Sequence, residues 1–243
     1  MEYIAIALAP GIAICLYIFY TDIYNREPKW NLLASFILGC FSIVPAAWVE
    51  KVLQFIMDGS IGAVAVFSYA VVGFSEELGK FLGLRYYAYR TKSFDEPLDG
   101  IVYSVMVSMG FATVENIIYV SNFAQVGRGL EVGFQRMFLS VPAHASFAVI
   151  MGYFVGKAKF SPGKNAGLLL MGLLAAVFFH GTYDFFLFIK AYSFAGKDIS
   201  EGLLAAGAII SYIICLVLAR KLIRQQKNLS KQMFPDKNAT PSV

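Results

Sequence analysis

Glu76 and Glu77 stand side by side with Lys80 one turn later, inside a run that is otherwise apolar from about Val66 to Ala88. An ionised carboxylate at the centre of a bilayer costs about 2.5–3.5 kcal/mol even on lenient scales, so this pair needs partners or a water-filled cavity. Groups of the same kind recur in other apolar runs: Glu115, His144, and His180 with Asp184, the histidines being the only two in the chain. Carboxylates and imidazoles in a dry cavity can activate water. One glutamate acts as general base while a histidine or a second acid stabilises the oxyanion or protonates the leaving amine, which is the chemistry of peptide hydrolysis. Glu115, His144 and His180 also have the composition of a catalytic zinc site, with a glutamate left over as base, so residue type alone leaves zinc open as a cofactor.

Other hydrolytic plans find less support. The chain has no HExxH helix motif, and GFSEE around Ser75 is not a G-x-S-x-G elbow. Cys15, Cys40 and Cys215 fall in three different apolar runs with no paired spacing and read as packing residues. A proton-coupled transporter would also place Glu, His and Asp within the membrane, so that reading stays open beside hydrolysis. It lacks the internal repeat that many transporters show.

The elements that position these residues are membrane helices. The chain is 58% hydrophobic and 15% charged, with mean hydropathy +0.63, whereas soluble domains are about a quarter charged. Seven runs are long enough to cross a hydrocarbon core of about 30 Å. They cover Tyr3 to Tyr20, Leu32 to Val49, Val66 to Ala88, Gly100 to Ser121, Phe138 to Val155, Gly167 to Ile189 and Leu203 to Ala219. The expectation is an all-α, polytopic bundle with one domain over residues 1–223, catalytic helices at about 66–189, and a basic tail over 224–243. The first run lacks a basic lead and a cleavage site and reads as a retained helix. The segment Glu50 to Gly62 reads as an amphipathic piece on the outer surface, and Asn122 to Arg136 as a loop that covers the outer end. The Gly152/Gly156 and Gly79/Gly83 spacings predict close helix packing.

Lysine and arginine are unequally shared. The first, third and fifth loops and the tail carry 14 of them, the alternate loops five. By the positive-inside rule the N-terminus lies outside and the C-terminus in the cytoplasm. The basic tail then meets anionic lipid; the lipid bilayer is the expected surrounding and no nucleic acid is expected as a partner. Counted from the cytoplasmic helix ends at about 1.5 Å per residue, Glu76 lies ~20 Å up, Glu115 ~26 Å, His144 ~20 Å and His180 ~24 Å. Four helices thus bring their polar groups to one layer nearer the outside. On the helical faces, Glu76 pairs with Lys80 while Glu77, rotated by about 100°, points elsewhere. Asp184 holds His180 by one ring nitrogen and leaves the other free. Phe111, one turn before Glu115, walls off that carboxylate.

Four motifs in this order resemble those of the PrsW intramembrane proteases. Glu76-Glu77-Leu78-Gly79-Lys80 matches their EExxK motif, and Phe111 to Asn116 their FxxxEN motif. His144 matches their isolated histidine, and His180 to Asp184 their HxxxD motif. The resemblance implies an endopeptidase of the glutamate type, with Glu76, Glu77, Glu115, His144, His180 and Asp184 catalytic and Lys80, Phe111 and Asn116 supporting. It favours no cofactor. It also implies site-1 cleavage of a single-span anti-sigma factor on the extracytoplasmic side, the first step in freeing a stress-response sigma factor. The CAAX prenyl endopeptidases are more distant, with EExxxR and FxxxH where this chain has EExxK and FxxxE. Among Glu76, Glu77 and Glu115 the general base stays open.

Overall fold

The structure is a computed structural model that describes residues 2–192 and 199–235. Lys197 and Lys237 of the charge distribution, and the end of the basic tail, lie outside the described residues. Among the described residues every regular element is helical. In chain order these are α1 (Glu2–Thr21), α2 (Lys29–Leu53), α3 (Ile61–Val66), α4 (Phe74–Tyr86), α5 (Pro97–Ala124), α6 (Gly129–Phe138), α7 (Ser140–Lys159), α8 (Asn165–Tyr192) and α9 (Glu201–Met233). A π-helical stretch, Phe67–Gly73, joins α3 to α4, so that Ile61 to Arg90 forms one continuous membrane-length segment. Seven segments are long and apolar enough to cross a membrane, as expected from the sequence.

The axis of the bundle is α5. Of its most apolar window 78% is buried, against 33, 28 and 28% for α1, α2 and α9, whose outer faces expose Leu16, Phe41, Trp48 and Val217 to the surroundings. Its start is fixed by the turn before it. Pro97 occupies the first helical position, where its missing N–H costs nothing, and the Asp99 carboxylate accepts the backbone N–H groups of Asp95 and Glu96 at 2.8 Å each. Small residues then let neighbours approach as backbones. A Cβ added at Gly100 would run into the Gly152 carbonyl and the Gly156 amide, and one at Gly39 of α2 into the Val107 carbonyl. The Gly152/Gly156 spacing thus marks the seam between α7 and α5, and Ser108 adds a hydrogen bond to the His144 carbonyl at 3.0 Å.

Two segments differ from the sequence expectation. Glu50 to Gly62 is not a separate amphipathic piece: α2 continues to Leu53, a short 3₁₀ turn follows, and α3 begins at Ile61. The covering loop at 122–136 is largely helix α6, docked through Val132, Gly133 and Arg136, with the Tyr3 ring of α1 packed on Gly129. Its apolar residues recur at helical spacing and find a cleft between α1, α5 and α7, which a polar loop could not fill. The basic stretch after Ala219 is also helical as far as Met233.

Candidate active site

The π-helical stretch ends at Gly73, where a Cβ would lie 3.2 Å from the Val177 carbonyl and 3.3 Å from the Gly181 amide. This close approach sets the start of α4 against α8 and brings Glu76, Glu77 and Lys80 to His180. From the other side α5 delivers Glu115 and α7 delivers His144. All of these groups are largely buried.

Lys80 is the hub. Its Nζ donates to Glu77 Oε1 at 2.7 Å and to Glu76 Oε2 at 3.2 Å, and it lies 3.2 Å from His144 Nδ1 and 4.2 Å from the centre of the Phe111 ring. An ammonium has three hydrogens and accepts none, so His144 Nδ1 is the acceptor. The ring proton is therefore on Nε2, which donates to Glu115 Oε2 at 3.0 Å. His180 is held from both sides, with Nδ1 2.8 Å from Glu77 Oε1 and Nε2 3.2 Å from Asp184 Oδ2 and 3.8 Å from Glu76 Oε2. The two imidazoles meet edge to face with centroids 5.0 Å apart, and Phe147 stacks on His180.

The predicted residues therefore meet at one site, with three changes in detail. Glu77 does not point elsewhere: three positions before Lys80 is also a helical neighbour, and Glu77 takes both the ammonium and His180. Neither nitrogen of His180 is free, because Glu77 reaches the one that Asp184 leaves. Phe111 lies under the Lys80 ammonium, and the wall of the Glu115 carboxylate is Arg136. Arg136 was not singled out as a site residue from the sequence. Its guanidinium binds Glu115 Oε2 at 2.5 Å and Asn116 Oδ1 at 2.9 Å, and lies over the Tyr119 ring, while Asn116 itself donates to the Ala7 carbonyl of α1. The signal for it was Glu115, an intramembrane acid in a helix that carries no lysine or arginine of its own.

A cavity of about 300 Å³ opens onto this cluster, bordered by Glu76, Glu115, His144, His180, Asp184 and Arg136 together with Tyr119, Ser140, Tyr183 and Glu50. Glu77 and Lys80 lie behind its wall; Glu77 is 1% exposed. The cavity lies toward the end of the bundle that carries α6 and the start of α1. Ligand atoms of Glu76, Glu77, His144 and His180 lie within 4.8 Å of one another, a donor set of the type that can hold a metal ion. Glu115 is outside that set. Lys80 already stands among these donors, bonded to Glu76, Glu77 and His144.

Comparison with known proteins matches residues 27–227 to the family described as PrsW family intramembrane metalloprotease. Similar proteins include Protease PrsW of Bacillus subtilis (strain 168), 40% identical over 76% of this chain and 82% of that protein. Protease PrsW of Geobacillus kaustophilus is 37% identical over 77% and 80%, and that of Clostridioides difficile 35% identical over 78% and 81%. No solved structure matches the chain. The charged residues that the helices bring together lie within the matched region, and the chain belongs to the PrsW family of intramembrane proteases, a multi-pass membrane peptidase and not a transporter.

Proposed function

We propose that the protein is a glutamate-type, metal-independent intramembrane endopeptidase in which Glu76 activates the water. The observation that carries this reading is the unequal access of the two glutamates: Glu76 borders the cavity and Glu77 is sealed behind it. Water held between Glu76 and a peptide carbonyl loses a proton to that carboxylate as it attacks, and Glu76 then passes the proton to the leaving amine. The Arg136 guanidinium borders the same space and, with N–H groups beyond those that bind Glu115 and Asn116, supplies a donor for the oxyanion, while His180 and His144 line the site. Asp184 and Glu77 fix the His180 ring, Glu115 fixes His144, and Lys80 holds the two adjacent carboxylates at one point.

The metal reading suggested by the family description rests on the same residues. As arranged they do not fit a divalent ion, because the Lys80 ammonium takes the point where Glu76, Glu77 and His144 converge, and two cations would compete for the same donors. The substrate we infer is a single-span membrane protein, an anti-sigma factor by the family resemblance, cut on the extracytoplasmic side. The unequal sharing of lysine and arginine between the loops supports an outward-facing cavity end. The test is cleavage of a candidate anti-sigma factor by the purified protein with and without a chelator, together with metal analysis. Activity that survives chelation at substoichiometric metal is expected, whereas loss restored by zinc would overturn the metal-independent reading.

A further inference from the structure

The acids that border the catalytic cavity are matched within the protein, with one exception. Glu76 takes Lys80 at 3.2 Å, Asp184 takes His180 at 3.2 Å, and Glu115 takes Arg136 and His144. Glu50, near the end of α2, borders the same cavity, is half-buried, and has no hydrogen bond or ion pair among the described residues. Its orientation is set by the helix: Ile43, Ala47 and Glu50 recur at four and three positions and form one stripe of α2 along the cavity wall.

Glu50 also borders a second hollow of about 270 Å³ that shares Ala47, Val72, Tyr119 and Phe188 with the first. The two hollows adjoin, and Glu50 lines both. Lys51 and Gln54 lie on the outer hollow, with Lys51 exposed and not paired with Glu50.

A half-buried carboxylate beside apolar walls is costly unless it takes up a proton or a cation meets it. A divalent metal ion would require several oxygen ligands, and this position offers one carboxylate. A lysine or arginine suits it better, since its aliphatic stem can lie on Val72 and Phe188 while the charged head reaches the acid.

We propose that Glu50 is a specificity-determining residue that receives a basic side chain of the substrate, whose chain runs along the adjoining hollows so that the neighbouring peptide bond reaches Glu76. The protein is on this view a peptidase for segments with a lysine or arginine close to the cleaved bond. The inference rests on the reading of Glu76 as the water-activating base.

The test uses full-length protein in lipid nanodiscs and a series of single-span peptides that differ only in carrying Lys, Gln or Glu at each position in turn around the cleaved bond. At one register the Lys peptide is expected to exceed the Gln and Glu peptides about tenfold in kcat/KM, mainly through KM. In Glu50→Gln that ratio falls to near one, and in Glu50→Lys it reverses in favour of the Glu peptide. Glu50→Gln is nearly isosteric, so its ratio decides the matter if Glu50→Lys fails to fold. Equal cleavage of the whole series by the unaltered protein, or a preference that survives Glu50→Gln, overturns this inference alone. Failure to cleave any peptide in the series removes the reading of Glu76 and this inference with it.

Discussion

Glu76 and Glu77 differ by one position in the sequence and by their access to water. Glu76→Ala is expected to lower kcat by about 10²–10⁴-fold, and added formate, small enough for the cavity, to restore part of it. Glu77→Ala is expected to gain nothing from formate, because its place is sealed. It should also lower the unfolding temperature, since removing one partner of a buried pair costs about 3–5 kcal/mol. Formate titrations of both variants check this, and rescue of Glu77→Ala in place of Glu76→Ala would reverse the assignment. At this scale the sequence revealed residue types and their common depth. It did not reveal which helices face each other. Arg136 could be seen to be basic but not to reach Glu115, because that contact joins two elements whose mutual rotation no spacing records.

The helices show what spacing can and cannot specify. Length and hydropathy located all seven spans, and Gly152 with Gly156 announced a tight seam. The partner of that seam, Gly100 at the start of α5, emerges only from the packing. Gly152→Leu is expected to destabilise by at least about 1–3 kcal/mol, since its side chain would displace α5 backbone and not a flexible neighbour; thermal unfolding in detergent measures it. The turn that starts α5 gives a pH prediction. Burial, with Asp22, Asp95 and Glu27 nearby, pushes the Glu96 carboxyl up to about 7 from 4.5. The folded state then holds this proton more tightly than the unfolded state does. The protection is complete below about pH 4.5, declines as pH rises and is lost above about pH 7. The unfolding temperature should fall over that window, and Glu96→Gln should flatten the fall. A slope unchanged by the substitution would assign it to another group. The docking of α6 was not legible as such: its apolar residues recur at helical spacing, but the cleft that receives its ten residues is made by three other helices.

For the whole molecule, the distribution of lysine and arginine predicts that the α5–α6 connection faces outward and the α7–α8 connection inward. On a background with Cys15, Cys40 and Cys215 replaced, Gln125→Cys should react with a membrane-impermeant thiol reagent in intact cells, and Lys164→Cys only after permeabilisation. The opposite pattern would invert the orientation and place the cavity on the cytoplasmic side. Bundle architecture was legible from composition because a bilayer admits so few backbone solutions.

The π-helical stretch between Val66 and Phe74 has a consequence for insertions and deletions. A turn of this kind accommodates one residue more than an α-turn, so removing one residue from it can restore ordinary winding without shortening the rest of the segment. The flanking parts, α3 and α4, would then keep their relative rotation, because the residue removed is the one the wide turn had absorbed, and the acid pair stays seated against α8. A loss of one residue in the region before the acids can thus be absorbed locally, without disturbing them or the helix that precedes them.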